Sequence, residues 1–99
     1  MSHDLFDLTD RVALVSGAAS GLGKAMATGL AEAGADLVLA DINPDGLATT
    51  AKELAAPGRR TLPVTCDMSQ PEQIRTMFEL IDEEYGRIDI VGNVAGDAK

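Results

Sequence analysis

Three glycines, Gly17, Gly21 and Gly23, follow a short apolar run that ends at Val15. Glycine lets the backbone turn tightly and approach a bound group without a Cβ atom in the way. A helix that begins within such a turn directs free amide groups toward an anion. The residue types and their spacing therefore predict a cradle for the pyrophosphate of a dinucleotide.

An acidic residue, Asp41, ends the second apolar run of the chain, 18 residues after Gly23. A carboxylate at this position can accept hydrogen bonds from both hydroxyls of an adenosine ribose. It would repel a 2′-phosphate, and neither Ile42 beside it nor Ser20 in the glycine turn carries a positive charge. The sequence therefore favours NAD over NADP. A purely structural role for Asp41 as a helix cap is less favoured, because Asn43 is better placed for it.

Two other kinds of site use similar residues. A Walker-type phosphate loop does not fit, because Ala25 follows Lys24 where Ser or Thr is needed and Ala18 replaces the first glycine. The cofactor site of a methyltransferase is the closer alternative, since those enzymes also pair a glycine turn with an acid after the second strand. Asp67 fits either cofactor, but the glycine turns differ, so this alternative is less favoured.

Short apolar runs alternate with stretches of helical periodicity along the chain, and the runs lack polar alternation, as is typical of strands covered on both faces. Strands are predicted at residues 12–16, 37–41, 62–66 and 88–92, with helices between them that end before Gly34, Pro57 and Gly86. This alternation implies a Rossmann-like α/β fold with a parallel four-stranded sheet in the order 3-2-1-4. The first two helices are expected on one face and the third on the other, in a single dinucleotide-binding domain over residues 1–99.

Local signals mark helix ends and the core. Asn43 has the position of an N-cap for the second helix, and residues 69–72 have the spacing of a capping box for the third. Met77 and Phe78 are both expected in the core because they share a helical stretch of apolar residues. Gly29, inside the first helix, is expected to permit close packing of that helix on the sheet.

Composition and charge exclude several classes of function. The net charge of −8 over 99 residues argues against binding to nucleic acid or to anionic lipid, which need clustered Lys and Arg. The single cysteine, Cys66, cannot form an internal disulfide, and no Cys and His residues have metal-ligand spacing. Neither a targeting segment nor a run of about 18 apolar residues is present. We therefore expect a cytoplasmic protein without a metal site.

The motifs, in this order, resemble the N-terminal part of the short-chain dehydrogenase/reductase family. The three glycines have the family's G-x-x-x-G-x-G spacing, residues 66–68 match its segment after strand three, and residues 93–96 resemble its Asn-Asn-Ala-Gly sequence. The resemblance covers nearly all of the chain from Leu5 onward. It departs from the family's pattern at Gly92 and at Val94.

The resemblance implies roles for individual residues. Asp67 is expected to contact the adenine amino group, and the backbone of Met68 is expected to contact the ring. Asn93 is expected to hold the central strands together, with Ala95 and Gly96 on the nucleotide side. The residues expected to bind the cofactor are Gly17, Ser20, Gly21, Leu22, Gly23, Asp41, Ile42, Asp67, Met68, Asn93, Ala95 and Gly96.

The resemblance also implies an activity, the transfer of hydride between a nicotinamide cofactor and an alcohol or carbonyl compound. The family uses a Tyr and a Lys four residues later, with a Ser and an Asn, whereas the one tyrosine here, Tyr85, is followed four residues later by Asp89. We therefore assign no catalytic residue and expect a truncated family fold that binds NAD(H). The alternative is an inactive module that binds a nucleotide or self-associates through an exposed strand edge or apolar surface.

Overall fold

The computed structural model describes residues 7–55 and 60–94 of the chain. Its elements are, in order, β1 (Val12–Ser16), α1 (Gly21–Glu32), β2 (Asp36–Asp41), α2 (Pro44–Leu54), β3 (Thr61–Thr65), α3 (Pro71–Glu84) and β4 (Ile90–Asn93). All neighbouring strands pair in parallel, in the sheet order β3-β2-β1-β4. The predicted Rossmann-like α/β fold and its strand order are confirmed.

The two central strands, β1 and β2, supply the core on both faces of the sheet. On one face Val15 packs in a cluster with Ala27 of α1 and Leu47 of α2. On the other face Leu14 packs in a cluster with Met77 of α3. Successive side chains of a strand point to opposite faces, so apolar runs without alternation are buried on both sides. The predicted placement of the three helices is therefore confirmed.

Glycines and one asparagine define the helix ends. Gly34 follows α1 with a φ of +104°, and Gly86 follows α3 with a φ of +74°, which is the left-handed conformation that commonly ends helices. The side chain of Asn43 accepts a hydrogen bond from the Gly46 amide and caps α2. The predictions for these three helix ends are confirmed.

The predicted capping box at α3 is wrong. Gln70 is the N-cap residue of α3, and its side chain makes no capping hydrogen bond. The hydroxyl of Ser69 donates instead to Asp67 Oδ1 at 2.6 Å. Proline is favoured at the first helical position, so α3 begins at Pro71, Gln70 becomes the N-cap residue and Ser69 lies one residue too early to cap the helix.

Two packing predictions are also wrong. Met77 is buried, but Phe78 is 42% exposed, because neighbouring residues of a helix lie about 100° apart and only one of them faces the sheet. A Cβ atom at Gly29 would meet nothing within 4 Å, so this glycine does not permit a close approach. Close packing between α1 and the glycine turn occurs instead at Gly23, where a Cβ atom would collide with the carbonyl oxygen of Gly17.

The fourth strand begins two residues later than predicted, at Ile90. The carboxylate of Asp89 accepts a hydrogen bond from the Val12 amide at 2.8 Å, and the Asp89 amide donates to the Val12 carbonyl oxygen at 2.8 Å. The Asp89 side chain thus bonds to β1 one residue before the pairing of β4 with β1 begins at Ile90. Ile88, predicted in the strand, packs instead against the cluster that contains Met77.

Tyr85 has a structural role at the amino ends of the strands. Its hydroxyl donates to the Leu37 carbonyl oxygen at 3.1 Å, and burial raises the pKa of the phenol. The Arg60 guanidinium lies over its ring, 4.4 Å from the centroid, and also pairs with Glu84. The ring also packs against the core cluster that contains Met77. In the part of the chain described, no helix is both long and apolar enough to cross a membrane.

Candidate nucleotide-binding site

The turn after β1 is closed by Ser20. Its amide and its hydroxyl both donate to the Gly17 carbonyl oxygen, at 3.0 and 2.7 Å. The same hydroxyl oxygen accepts a hydrogen bond from the Gly23 amide at 3.0 Å, which makes Ser20 the N-cap of α1. Gly17 has a φ of +75°, a conformation that favours glycine. Ser20 therefore fixes the turn against the first residues of the helix.

The three glycines of the turn differ in what surrounds them. A Cβ atom at Gly17 would lie 2.5 Å from the Val94 carbonyl oxygen, and one at Gly23 would collide with the Gly17 carbonyl. A Cβ atom at Gly21 would meet nothing within 4 Å, so open space adjoins its backbone. Two glycines are therefore required by backbone contacts, and the third leaves room for a bound group to approach. This geometry fits a pyrophosphate.

The start of α1 supplies amide groups for an anion. The first amides of a helix have no intrahelical acceptor, and among the described residues only the Gly23 amide of this turn is bonded by the cap. The amides of Gly21 and Leu22 remain available, and the first turn of α1 contains no acidic residue. A helix N-terminus carries a partial positive charge, which favours a phosphate there. Lys24, in the same turn, pairs with Glu53 of α2.

The carboxylate of Asp41 is held by two backbone amides at the end of β2. Its Oδ2 atom accepts from the Ala19 amide at 2.8 Å, and its Oδ1 atom accepts from the Asn43 amide at 2.9 Å. A carboxylate oxygen offers two lone pairs, so each oxygen can still accept one ribose hydroxyl. Asn43, and not Asp41, provides the side chain that caps α2. These two hydrogen bonds therefore orient the Asp41 carboxylate before a ligand binds.

A second carboxylate lies at the end of β3. Asp67 Oδ1 accepts from the Ser69 hydroxyl at 2.6 Å and from the Ser69 amide at 2.9 Å, and these hydrogen bonds lower the pKa of Asp67. The group is therefore charged at neutral pH, and the hydrogen bonds described leave its Oδ2 atom available. Cys66, beside it, is buried, and burial raises the pKa of its thiol, so the thiol is protonated at neutral pH. Its Sγ atom lies 3.7 Å from the Met68 Sδ atom.

Asn93 joins β4 to β1 at the same edge of the sheet. Its Oδ1 atom accepts from the Ser16 hydroxyl at 2.6 Å, and the Val94 amide donates to the Ser16 carbonyl oxygen at 3.2 Å. These bonds hold β4 to the central strand β1 beside Gly17. The geometry agrees with the strand-joining role expected for Asn93.

A cleft of about 260 Å³ opens where the strands end. Its lining residues are Ser16, Gly17, Asp41, Ile42, Cys66, Asp67, Met68, Ser69, Asn93 and Val94. Six of the predicted site residues line it, namely Gly17, Asp41, Ile42, Asp67, Met68 and Asn93. Ser20, Gly21, Leu22 and Gly23 belong to the adjoining turn and the start of α1, outside the lining. Ala95 and Gly96, also predicted, lie outside the described residues.

Sequence reasoning missed two serines of the cleft. Ser16 and Ser69 were assigned to a strand and to a helix cap, but both line the cleft and each donates its hydroxyl to a site residue, Asn93 or Asp67. Both are small polar residues at or just beyond the carboxyl end of a strand, which is where ligands bind in open parallel sheets. That position is the signal that could have identified them.

No group of three or more His, Cys, Asp or Glu residues that could hold a metal occurs in the part of the chain the structure describes.

Comparison with known proteins gives consistent matches. The model of the short chain dehydrogenase family matches residues 11–99. The chain is 42% identical over 89 residues to 1-deoxy-11-beta-hydroxypentalenate dehydrogenase of Streptomyces exfoliatus, covering 90% of this chain and 32% of that protein. It is 44% identical over 95 residues to NAD-dependent glycerol dehydrogenase of Listeria innocua, covering 94% and 35%. The chain thus spans about a third of the length of these relatives.

Solved structures have the same fold over this length. A short-chain type dehydrogenase/reductase from Mycobacterium marinum has a TM-score of 0.83 at 44% identity, covering 92% of this chain and 37% of that one. L-sorbose reductase from Gluconobacter frateurii, complexed with NADPH and L-sorbose, has a TM-score of 0.88 at 34% identity, covering 95% and 36%. A short chain dehydrogenase/reductase from Burkholderia phymatum in complex with NAD has a TM-score of 0.80 at 33% identity, covering 86% and 30%.

Proposed function

Since the chain belongs to the short-chain dehydrogenase family, we propose that it forms the NAD(H)-binding part of an oxidoreductase. One observation carries the proposal: the Asp41 carboxylate is held beside the glycine turn by the Ala19 amide, with an acceptor position left on each oxygen. A dinucleotide that places its pyrophosphate at the start of α1 would bring its adenosine ribose toward this carboxylate.

The charge at the end of β2 supports NAD rather than NADP. Related proteins use either cofactor, as the NAD-dependent glycerol dehydrogenase and the NADPH complex of L-sorbose reductase indicate. Here a 2′-phosphate would meet the negative charge of Asp41, and the neighbouring Ile42 provides no cation to offset it. The nearest candidate cation on α1, Lys24, already pairs with Glu53.

We propose that four segments of the chain bind different parts of the cofactor. The glycine turn and the start of α1 would bind the pyrophosphate, the end of β2 the adenosine ribose, and the end of β3 the adenine. The end of β4 would lie on the nicotinamide side. The proposed binding residues are, in this order, Gly17, Ser20, Gly21, Leu22 and Gly23; Asp41 and Ile42; Asp67 and Met68; and Asn93, Ala95 and Gly96.

When bound, the nicotinamide ring of the cofactor accepts or donates the hydride in the complete family fold. We propose this reaction, with an alcohol or carbonyl substrate, for the protein to which these residues belong, and we assign no catalytic residue within them. A nucleotide-binding module without catalysis is the alternative. Titration with NADH and NADPH tests the binding function that both interpretations share, and an assay of alcohol oxidation distinguishes them.

Self-association through β4 and α3 is a second proposal. Val91 is 63% exposed on β4, and Phe78 is 42% exposed on α3, which covers the same face of the sheet. Among the described residues β4 pairs only with β1, so its other edge presents unpaired backbone groups. A second copy of the chain would cover both features. We expect sedimentation velocity to give dimers or larger species at high concentration, whereas a monomer at all concentrations contradicts the proposal.

The cell compartment and the domain organisation are proposed from the sequence. We propose a cytoplasmic protein in which residues 1–99 act as one dinucleotide-binding unit without a nucleic-acid or membrane partner. The net charge of −8 supports the exclusion of these partners. Cell fractionation and a single cooperative unfolding transition would test the location and the domain organisation.

A further inference from the structure

The second helix contacts the glycine turn through a buried hydroxyl. Thr50 of α2 is 2% exposed, and its Oγ1 atom donates to the Ala18 carbonyl oxygen at 3.2 Å. Ala18 is fully buried, and its amide donates to the Ala40 carbonyl oxygen of β2 at 3.1 Å. Both backbone groups of Ala18 are therefore held, the amide by the sheet and the carbonyl by α2.

A second contact brings α2 close to the next residue of the turn. A Cβ atom at Gly46 would lie 2.9 Å from the Cβ atom of Ala19, closer than two carbon atoms normally approach. The Ala19 methyl group is attached directly to the backbone and cannot rotate away, so a side chain at residue 46 would displace the turn or the helix. The absence of a side chain at Gly46 thus sets how closely α2 packs on the turn.

We propose that α2 positions the glycine turn for pyrophosphate binding, with Thr50 and Gly46 as its positioning residues. This inference rests on the proposed binding of NAD(H). Without the Thr50 hydroxyl, the buried Ala18 carbonyl would lose its partner, and an unpaired buried carbonyl is costly. The turn would relieve this by moving, and the amides of Gly21 and Leu22 would then be displaced from a bound pyrophosphate. The adenosine contacts would be affected less, because Asp41 would lose at most its bond from the Ala19 amide and would keep the one from the Asn43 amide, and Asp67 lies at the end of β3, away from the turn.

We predict that loss of the Thr50 hydroxyl weakens the binding of ADP-ribose, which contains the pyrophosphate, more than the binding of adenosine, which lacks it. Thr50→Val removes the hydroxyl and keeps the shape, whereas Thr50→Ser keeps the hydroxyl. Thr49→Val is the matched control, because the exposed Thr49 hydroxyl bonds only within α2, to the Asp45 carbonyl oxygen at 3.1 Å. We expect Thr50→Val to weaken ADP-ribose binding about fivefold, as the loss of one hydrogen bond implies. Adenosine binding, followed by NMR, is expected to change less than twofold in each variant, and Thr50→Ser is expected to retain wild-type affinity for ADP-ribose.

A second variant tests the same inference without removing a hydroxyl. Gly46→Ala favours the helix through its higher helix propensity but places a methyl group against Ala19. We expect the same selective loss of ADP-ribose affinity, with circular dichroism used to verify that Gly46→Ala is folded. If Thr50→Val does not fold, the ADP-ribose affinity of Gly46→Ala alone tests the positioning role of α2.

Three outcomes separate this inference from the proposed function. Wild-type affinity for ADP-ribose in both Thr50→Val and Gly46→Ala, or an equal loss of adenosine and ADP-ribose, overturns the positioning role. A folded wild-type chain that does not bind ADP-ribose contradicts the proposed function instead. In that case, amide hydrogen exchange still tests the positioning role, since the Ala18 amide should exchange faster in Thr50→Val than in Thr49→Val; equal rates overturn it.

Discussion

The Asp41 carboxylate accepts a hydrogen bond from the Ala19 amide at 2.8 Å, and this bond joins the end of β2 to the glycine turn that follows β1. Two segments of the candidate site, 22 residues apart in sequence, are therefore linked before any ligand binds. The carboxylate proposed to bind the ribose also holds the turn proposed to bind the pyrophosphate. A change at Asp41 is expected to affect both parts of the site.

We predict that Asp41→Ala weakens NADH binding about tenfold or more, because it removes charged hydrogen bonds to the ribose together with support for the turn. Asp41→Asn keeps an oxygen acceptor but removes the charge, so it should lose less NADH affinity and bind NADPH relatively better. Asp45→Ala, on the exposed first turn of α2, is the control. Calorimetric titration measures all three variants, and unchanged NADH affinity in Asp41→Ala would exclude the ribose assignment.

Two glycines are predicted to respond differently to substitution by alanine. At Gly17, φ is +75° and a Cβ atom would press on the Val94 backbone carbonyl, so Gly17→Ala should lower the free energy of unfolding by about 2 kcal/mol or more. At Gly92, a Cβ atom would collide with the Sδ atom of Met26, the flexible and 38% exposed side chain of α1 that can turn outward. Gly92→Ala should therefore stay within about 1 kcal/mol of wild type.

Urea unfolding of the two variants tests this difference. The double variant Gly92→Ala with Met26→Ala serves as a control, because it removes the colliding side chain and should show no penalty from the new methyl group. Equal destabilisation by Gly17→Ala and Gly92→Ala would contradict the distinction between a backbone contact and a flexible side-chain contact.

Acid is predicted to remove the stabilisation that Asp89 provides. The hydrogen bond from Arg87 and that from the Val12 amide lower the pKa of Asp89 below its ordinary value of 3.8. A carboxyl whose pKa is lower in the folded state stabilises the fold above its unfolded-state pKa and loses that effect as the pH falls through its folded-state pKa. Wild type should therefore be more stable than Asp89→Asn near neutral pH, and the difference should disappear between about pH 5 and pH 2.

The measurement is urea unfolding of both proteins across this pH range. Arg87→Gln removes the guanidinium but leaves the Val12 amide in place, so it should lose only part of the pH dependence. A difference between wild type and Asp89→Asn that is the same at neutral and acidic pH would show that charge is not the source of the stabilisation.

Much of this architecture could be predicted from the sequence because the strong signals are local. Apolar runs without alternation identified β1 and β2, and Gly34 and Gly86 identified helix ends, since each reflects a period or a backbone conformation specified by nearby residues. Gly17 and Asp41, which the glycine spacing and the position of the acid singled out, both line the cleft.

The errors arose where contacts between distant or competing groups decide the outcome. At α3 the capping-box spacing of Ser69 competed with the preference of Pro71 for the first helical position, and the helix begins at Pro71. Met77 and Phe78 have similar apolar character, and only the position of α3 on the sheet decides which one is buried. The roles of Gly46 and Thr50 depend on the approach of α2 to the glycine turn, which no local pattern specifies.

Calorimetric titration of the chain with NADH and with NADPH tests the central claim most directly, that the glycine turn and Asp41 form an NAD(H) site. We predict saturable binding of NADH and weaker binding of NADPH, because the Asp41 carboxylate accepts from the ribose hydroxyls and repels a 2′-phosphate. The absence of NADH binding to a chain shown by circular dichroism to be folded would contradict the claim. Equal or tighter binding of NADPH would contradict the assignment of Asp41.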